Sequence, residues 1–219
     1  MLKNLAKYQI AIVVLGSFNP TIVQPLWLSA KKLIRDDEGG NAKISVIHGE
    51  VSQFALEWVD FSITHDRFEV SCSAASFFEP LKDLVLGIFT ILKETPVTAF
   101  GINHIVHFDL GNLKNYTDFG TKLVPLSVWD SVFEEPRLAN IEIQDRKSKQ
   151  KYSGSNSIKI APSAELNTGP KKYHIMIQTN DHYEEIKDCF TLTSALGEQW
   201  EYSTYKTQQV IDNLNKILS

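Results

Sequence analysis

The sequence contains little cysteine and none of the short motifs that mark common catalytic or cofactor sites. Its two cysteines, Cys72 and Cys189, are too few for a disulfide framework and are not spaced like metal ligands, so we interpret them as buried or incidental thiols. The glycine-rich loops that bind dinucleotides or phosphates are missing, as are the Gly-x-Ser-x-Gly elbow, the His-Glu-x-x-His zinc motif and the Cys-x-x-Cys pair. Enzyme classes that depend on these motifs are disfavoured, and we predict no cofactor and no metal.

The chain also lacks a strong net charge and any long apolar run. Its formal net charge is −4, which argues against long-range attraction to nucleic acid or anionic lipid. Residues 10–15 form a short β-branched apolar run, which predicts a buried strand rather than a signal peptide. No stretch approaches the length of a membrane span. We therefore expect a cytoplasmic protein without membrane contact.

The order of predicted elements indicates an α+β fold. Residues 10–16 predict a strand and residues 20–34 a helix, and three strands are then expected near residues 44–49, 54–64 and 68–72. A helix follows over residues 79–94, where apolar residues recur with helical period. After Pro96 the same order begins again. The second series has a strand at 97–110, a helix at 117–133, strands near 138–145, 157–161 and 173–179, and a last helix from about Ser194.

One local match supports an internal duplication. The sequence around Pro25 resembles that around Pro125, an offset of 125 − 25 = 100 residues. We therefore predict one domain, residues 1–219, made of two pseudo-repeats at about residues 8–95 and 96–218. The duplicated β-α-β-β-β-α unit is expected to form one curved antiparallel sheet with its helices on one face. This element order resembles the TATA-binding-protein-like architecture, and the resemblance implies a fold without implying DNA binding.

Three short segments resemble a sporadically distributed family of uncharacterised bacterial proteins. They are residues 101–108 (Gly-Ile-Asn-His-Ile-Val-His-Phe), residues 16–20 (Gly-Ser-Phe-Asn-Pro) and the hairpin from Trp58 to Phe68. The resemblance carries no assigned activity and transfers no functional residue. Because patchily distributed bacterial proteins often belong to mobile or defence operons, it implies an accessory role in phage defence or in a toxin–antitoxin pair.

The predicted strand at 97–110 carries the best candidate ligand-binding group. Asn103, His107 and Asp109 fall on one face by the period-two rule, while His104 falls on the apolar face and is interpreted as a core histidine. A histidine and a carboxylate two residues apart could orient each other for acid–base chemistry or supply two metal ligands. A polar, solvent-facing strand explains the same pattern. Asp181 and His182 could form a metal-binding turn, but Asn and Asp also favour ordinary turns.

The segment from residue 146 to residue 172 is the one charge asymmetry. Its seven cations stand against Glu165 alone, so seven minus one leaves six positive charges. The candidate nucleic-acid residues in this predicted hairpin are Arg146, Lys147, Lys149, Lys151, Lys171 and Lys172, and Lys159 is the seventh cation. Such a patch could follow a phosphate backbone, although a solvated hairpin has the same composition.

Three functions remain open from the sequence. The leading hypothesis is a non-enzymatic binding or adaptor protein that uses the open sheet face or its edges to bind another protein or a second copy of itself. The second is nucleic-acid recognition through the basic hairpin and the sheet. The third is a metal-dependent hydrolase centred on His107 and Asp109.

Overall fold

One antiparallel sheet of nine strands organises the chain in the computed structural model, which describes residues 2, 4–145, 151–169 and 172–218. The strands are β1 (Asn4–Gly16), β2 (Lys43–Ile47), β3 (Val51–Ala55), β4 (Asp60–Thr64), β5 (Arg67–Cys72), β6 (Val97–Asp109), β7 (Ile141–Asp145), β8 (Gly154–Pro162) and β9 (His174–Tyr183). The helices are α1 (Pro25–Ala30), α2 (Asp36–Gly40), α3 (Phe78–Ile91), α4 (Leu113–Leu123) and α5 (Cys189–Leu218). Short 3-10 turns lie at Ala75–Phe77 and Leu126–Trp129. The predicted α+β class is confirmed.

The two longest strands form the middle of the sheet. The strand order is β2-β3-β4-β5-β1-β6-β9-β8-β7, and every neighbouring pair is antiparallel. β1 and β6 have 13 residues each and pair along nearly their whole length. β2 to β5 run from one edge inward to β1, while β7 to β9 run from the other edge inward to β6. The sheet therefore grows outward from the β1–β6 pair.

The described helices pack against one face of this sheet. On that face β1 and β6 bury Ile12 and Ile102, because β-branched apolar residues alternate with small or polar ones along both strands. The predicted amphipathic helix α3 buries Leu81 there, and α5 buries Leu196 and Trp200 in the same cluster. A second cluster joins α4 to the β6, β8 and β9 end of that face. No described helix is both long and apolar enough to cross a membrane.

The predicted strand at 54–64 is wrong, because two strands and a tight turn occupy that segment. The Leu56 N–H donates to the Val59 carbonyl over 2.9 Å, which closes the turn between β3 and β4. Leu56 and Val59 are both buried, so both ends of the turn are apolar and Glu57 is the single charged residue between the two strands. The first half of the sheet consequently has four strands in its meander, one more than predicted.

The predicted helix boundaries also differ from those observed. The segment expected as one helix at 20–34 contains α1, which Pro25 opens, and a turn at Lys32 with positive φ precedes α2. Gly39 lies within α2 instead of ending a helix. Glycine is needed there because a Cβ would meet the Ser29 hydroxyl at 2.0 Å. In the second half, Asn112 caps α4 by accepting from the Asn115 N–H, so that helix starts earlier than predicted.

The largest correction concerns the end of the chain. The predicted strand at 173–179 extends to Tyr183, so the expected turn at Asp181 and His182 does not exist. Burial alternates without interruption along β9, and Asp181 is fully buried within it. The last helix begins at Cys189 rather than near Ser194, since the Asp188 carboxylate accepts from the Thr191 N–H over 2.7 Å.

Candidate functional site

The second face of the sheet carries no helix among the described residues, and we call it the open face. The residues of β9 that lie on the open face are all partly exposed, and the residues that alternate with them are buried. They are His174, Met176, Gln178, Asn180 and His182. The strand register places Asn103 and His107 of β6 on the same face, opposite Asn180 and Met176. Asp109 also belongs to it, so the predicted shared face of the three β6 residues is confirmed.

Two asparagine side chains meet at the centre of the open face. Asn180 Nδ2 donates to Asn103 Oδ1 over 2.8 Å, and we call these two residues the amide pair. Within the described residues, the other atom of each amide, Asn103 Nδ2 and Asn180 Oδ1, has no hydrogen-bond partner. The pair therefore offers donors and an acceptor side by side to a molecule that lies on the sheet.

Small side chains surround the amide pair and form a shallow floor. The register places Ala11 beside Asn103, and Val13 beside Gly101. Ala11 and Val13 are only 5% and 7% exposed although no described helix covers them. A Cβ on Gly101 would sit 3.7 Å from Asn103 Nδ2 and 3.9 Å from Asn180 Oδ1. The absence of that carbon leaves room for another main chain to approach the amides closely.

Opposite charges are balanced on the described strands of the open face. Arg67 and Glu69 of β5 form an ion pair at 2.8 Å, and Lys159 of β8 stands opposite Glu142 of β7. The register gives the face four cations and four acids: Lys7, Lys43, Arg67 and Lys159 with Asp60, Glu69, Asp109 and Glu142. This balance supplies no positive field to attract a phosphate backbone.

His107 lies at one end of the open face in a contact that the sequence did not predict. Its Nδ1 is 2.9 Å from Ser163 Oγ, and its Nε2 is 3.7 Å from Glu165 Oε2. Lys7 Nζ donates to the other carboxylate oxygen of Glu165 over 2.5 Å. Burial lowers the pKa of His107 and outweighs the opposing effect of Glu165. The imidazole is therefore held neutral near pH 7.

The Ser163, His107 and Glu165 side chains stand in the order of a serine–histidine–carboxylate triad, but they do not form a usable one. Ser163 is fully buried, and its Oγ accepts from the Leu166 N–H over 3.0 Å. A nucleophile must reach a substrate carbonyl, and this buried hydroxyl contacts His107 of β6 and the loop that contains it. The arrangement holds the segment after β8 against β6.

The structure does not bring Asp109 to His107. Asp109 Oδ1 accepts from the Gly111 N–H over 2.8 Å at the turn that follows β6. Each residue of the predicted acid–base pair thus has a separate structural partner. Among the described residues, no three His, Cys, Asp or Glu side chains form a group that could hold a metal ion.

The described residues include part of the candidate nucleic-acid segment. Lys151 Nζ pairs with Glu198 of α5 at 2.7 Å, and Lys172 is exposed. Arg146, Lys147, Lys149 and Lys171 lie outside the described residues. Among the candidate residues that the structure describes, Lys151 is therefore paired with an acid of the last helix.

Beneath the amide pair, on the helix-covered face, lies a buried chain of polar side chains. The Tyr8 hydroxyl is 2.8 Å from His104 Nδ1, and His104 Nε2 is 2.9 Å from Ser203 Oγ of α5. Ser203 donates to Asp181, whose other oxygen contacts Lys206 Nζ. Because the single proton of Ser203 goes to the carboxylate, His104 Nε2 must donate to Ser203, and Nδ1 must accept from Tyr8. We call these five residues the buried polar chain.

The prediction that His104 is a satisfied core histidine is confirmed. It is fully buried, and burial lowers its pKa to about 4. No pattern in the sequence indicates Asp181 or Lys206 as its companions. Asp181 resembles a turn residue in a sequence, and only the uninterrupted alternation of β9 could have revealed it as a core position.

A scan of the chain against protein-family models gives no match, and a search of curated proteins finds no significant relative.

Proposed function

We propose that this protein is a non-enzymatic binding module that holds an extended segment of a partner protein on the open face, across the amide pair. The observation that carries the proposal is the amide pair, in which Asn180 is partly exposed and Asn103 is 9% exposed, set in a floor of small side chains. A carboxamide matches a peptide group, since both combine an N–H donor with a carbonyl acceptor. Two adjacent carboxamides can therefore replace the hydrogen bonds that a peptide main chain makes to water.

The shape of the site supports an extended peptide. One row across the sheet runs from Ser71 through Ala11, Asn103 and Asn180 to Ser157. Neighbouring strands lie about 4.8 Å apart, so the row is about 19 Å long, and about six residues in extended conformation cover it. Serine, alanine and asparagine are short enough to let a main chain lie close to the sheet.

The balance of charge also favours a protein over a nucleic acid. Sites that bind a phosphate backbone gain their affinity from excess Lys and Arg. The described open face pairs cations with acids, as Arg67 does with Glu69. A neutral, amide-rich surface instead suits the main chain and polar side chains of another protein.

A random library of twelve-residue peptides, displayed on phage, tests the proposal. Enriched peptides would be synthesised, and their affinities measured by fluorescence anisotropy for the wild type, Gly101→Val and Asn180→Ala. Valine at 101 fills the floor, so we expect about tenfold or greater loss of affinity. The alanine removes one side-chain partner, and a loss of about two- to tenfold is expected.

Gly49→Val is the matched control, because Gly49 lies in the turn between β2 and β3 with nothing near its Cβ position. The proposal fails if no peptide is enriched, or if enriched peptides bind Gly101→Val as tightly as the wild type. Binding of single-stranded DNA that weakens when Lys147, Lys149 and Lys151 are neutralised together would instead favour nucleic-acid recognition. Concentration-dependent dimerisation that Gly101→Val abolishes would identify a second copy as the occupant.

We also propose that the fold arose by duplication of a TATA-binding-protein-like unit. The central position of β1 and of β6, each the first strand of its half, supports this. Pro25 opens α1, and Pro125 precedes the helical turn Leu126–Trp129, so the two prolines occupy comparable positions. The proposal predicts that superposing β1 on β6 brings Pro25 onto Pro125. If the two prolines lie far apart after that superposition, the result would count against a common origin of the two halves.

A further inference from the structure

A second surface carries large apolar side chains that the fold leaves in solvent. In the segment that follows α4, Val128, Trp129, Val132 and Phe133 are 63%, 49%, 66% and 57% exposed. Burying such side chains contributes favourably to folding, so a cluster that stays exposed marks an interaction site.

The main chain holds these side chains in place. The N–H groups of Val132 and Phe133 both donate to the Trp129 carbonyl, over 2.8 and 2.9 Å. The Asp130 N–H donates to the Ser127 carbonyl over 3.3 Å. These consecutive turns fix the main chain that carries the two aromatic side chains, so little ordering of the main chain is needed when a partner binds.

A groove of about 590 Å³ opens between the rings and the acidic stretch that follows them. Trp129 and Phe133 line it together with Leu126, Glu134, Glu135, Pro136 and Arg137. Arg137 pairs with Glu135 at 2.6 Å, whereas Glu134 and Asp130 have no ion-pair partner among the described residues. Two aromatic side chains, the Glu134 carboxylate and the Arg137–Glu135 ion pair thus border one groove.

We propose that this groove, which we call the aromatic–acidic groove, binds a lysine or arginine side chain of a partner protein. The faces of tryptophan and phenylalanine attract cations, and an adjacent carboxylate adds a charge-assisted hydrogen bond. The aliphatic stem of such a side chain covers apolar surface while its charged end stays in water. Lysine and arginine combine a full positive charge at neutral pH with an apolar stem, so they suit both the rings and the carboxylate.

The same charges argue against two other occupants. Anionic lipid and nucleic acid are bound by basic surfaces, and the acids here would repel both. The inference is independent of the proposed function, because it concerns a different surface and a different chemical group. If no peptide binds at the amide pair, the proposal for the aromatic–acidic groove still stands.

The indole N–H signals of the protein test the proposal. The chain has four tryptophans, so ¹⁵N-labelled protein gives up to four such signals, and Trp129→Leu identifies the one to follow. The probe is an acetylated pentapeptide of alternating leucine and lysine, and its control carries norleucine in place of lysine. We expect the Trp129 signal to shift with the lysine peptide, with about tenfold weaker affinity for the norleucine peptide.

Glu134→Gln should weaken binding of the lysine peptide about three- to tenfold, because it removes the unpaired carboxylate. Glu50→Gln, which removes an exposed acid in the turn between β2 and β3, should leave binding unchanged and is the matched control. Unchanged backbone spectra would show that each variant folds. Equal affinity for the two peptides, or no effect of Glu134→Gln, would overturn the proposal, as would Trp129-dependent binding to anionic vesicles instead of the peptide.

Discussion

Replacing Asp181 with asparagine removes the only carboxylate of the buried polar chain. Asp181 is fully buried, accepts from Ser203 and contacts Lys206 Nζ. Asparagine keeps the shape but loses the charge, so the mostly buried Lys206 ammonium loses the carboxylate that contacts it, and Asp145 remains as the other acid whose charge acts on it. Lys206 is 18% exposed, and solvent can therefore compensate only slightly.

Breaking one partner of a buried ion pair costs about 3–5 kcal/mol. The residual exposure of Lys206 favours the lower end, about 3 kcal/mol. For a domain of this size each kcal/mol lowers Tm by about 2–4 °C, so we expect Asp181→Asn to lower it by about 6–12 °C. A loss of about 3 kcal/mol is a large share of the free energy of unfolding of a typical domain, which is about 5–15 kcal/mol.

Urea denaturation followed by circular dichroism measures the change, and the chain contains a matched control. Glu198 also pairs α5 with a lysine near β8, but both side chains of that pair are well exposed, at 45% and 66%. Glu198→Gln should cost less than about 1 kcal/mol. If Asp181→Asn costs no more than Glu198→Gln, the buried polar chain does not secure α5 to the sheet.

Three further predictions concern titration and packing. Burial lowers the pKa of His104 to about 4 while the unfolded value stays near 6.5, so the unfolded state binds the proton first and stability falls by about 3 kcal/mol between pH 7 and pH 4. His104→Gln should remove that share of the acid sensitivity in urea titrations, and an unchanged pH profile would contradict it. Gly16→Ala should lower Tm, because the new Cβ would meet the Pro96 carbonyl at 2.2 Å. Gly49→Ala is the control and should have little effect, because its Cβ would meet nothing. Equal Tm values for the two variants would refute this prediction. Glu165→Gln should lower the pKa of His107 further by removing the adjacent charge, and an NMR titration showing a raised pKa would contradict this.

The alternation of apolar and polar residues made the central part of the fold predictable. The period of two predicts Ile102 and His104 on one face of β6 and Asn103 on the other, and the strand register confirms that prediction. The partner of Asn103 was not predictable, because Asn180 is 77 residues away. Local periodicity determines which way a side chain points but not which distant strand lies beside it.

Errors arose where a residue type favours one local structure and tertiary packing imposes another. Asn180 and Asp181 favour turns as a pair, yet β9 continues through both, with Asn180 donating to Asn103 on the open face and Asp181 accepting from Ser203 on the covered face. The turn between β3 and β4 was missed for the opposite reason, since Leu56 and Val59 are apolar. Local propensity therefore predicted a turn where β9 continues, and one continuous strand where a turn separates β3 from β4.

The period of two along β9 also separates stability from binding. Asn180 and Asp181 are adjacent in the chain but lie on opposite faces, one in the amide pair and the other in the buried polar chain. The covered face can bury an ion pair because α5 supplies Ser203 and Lys206 to satisfy it. The open face has no helix to satisfy its amides among the described residues, so their remaining hydrogen-bonding capacity is left for water or for a partner. One strand thereby stabilises the fold through one set of alternate residues and offers the proposed binding surface through the other.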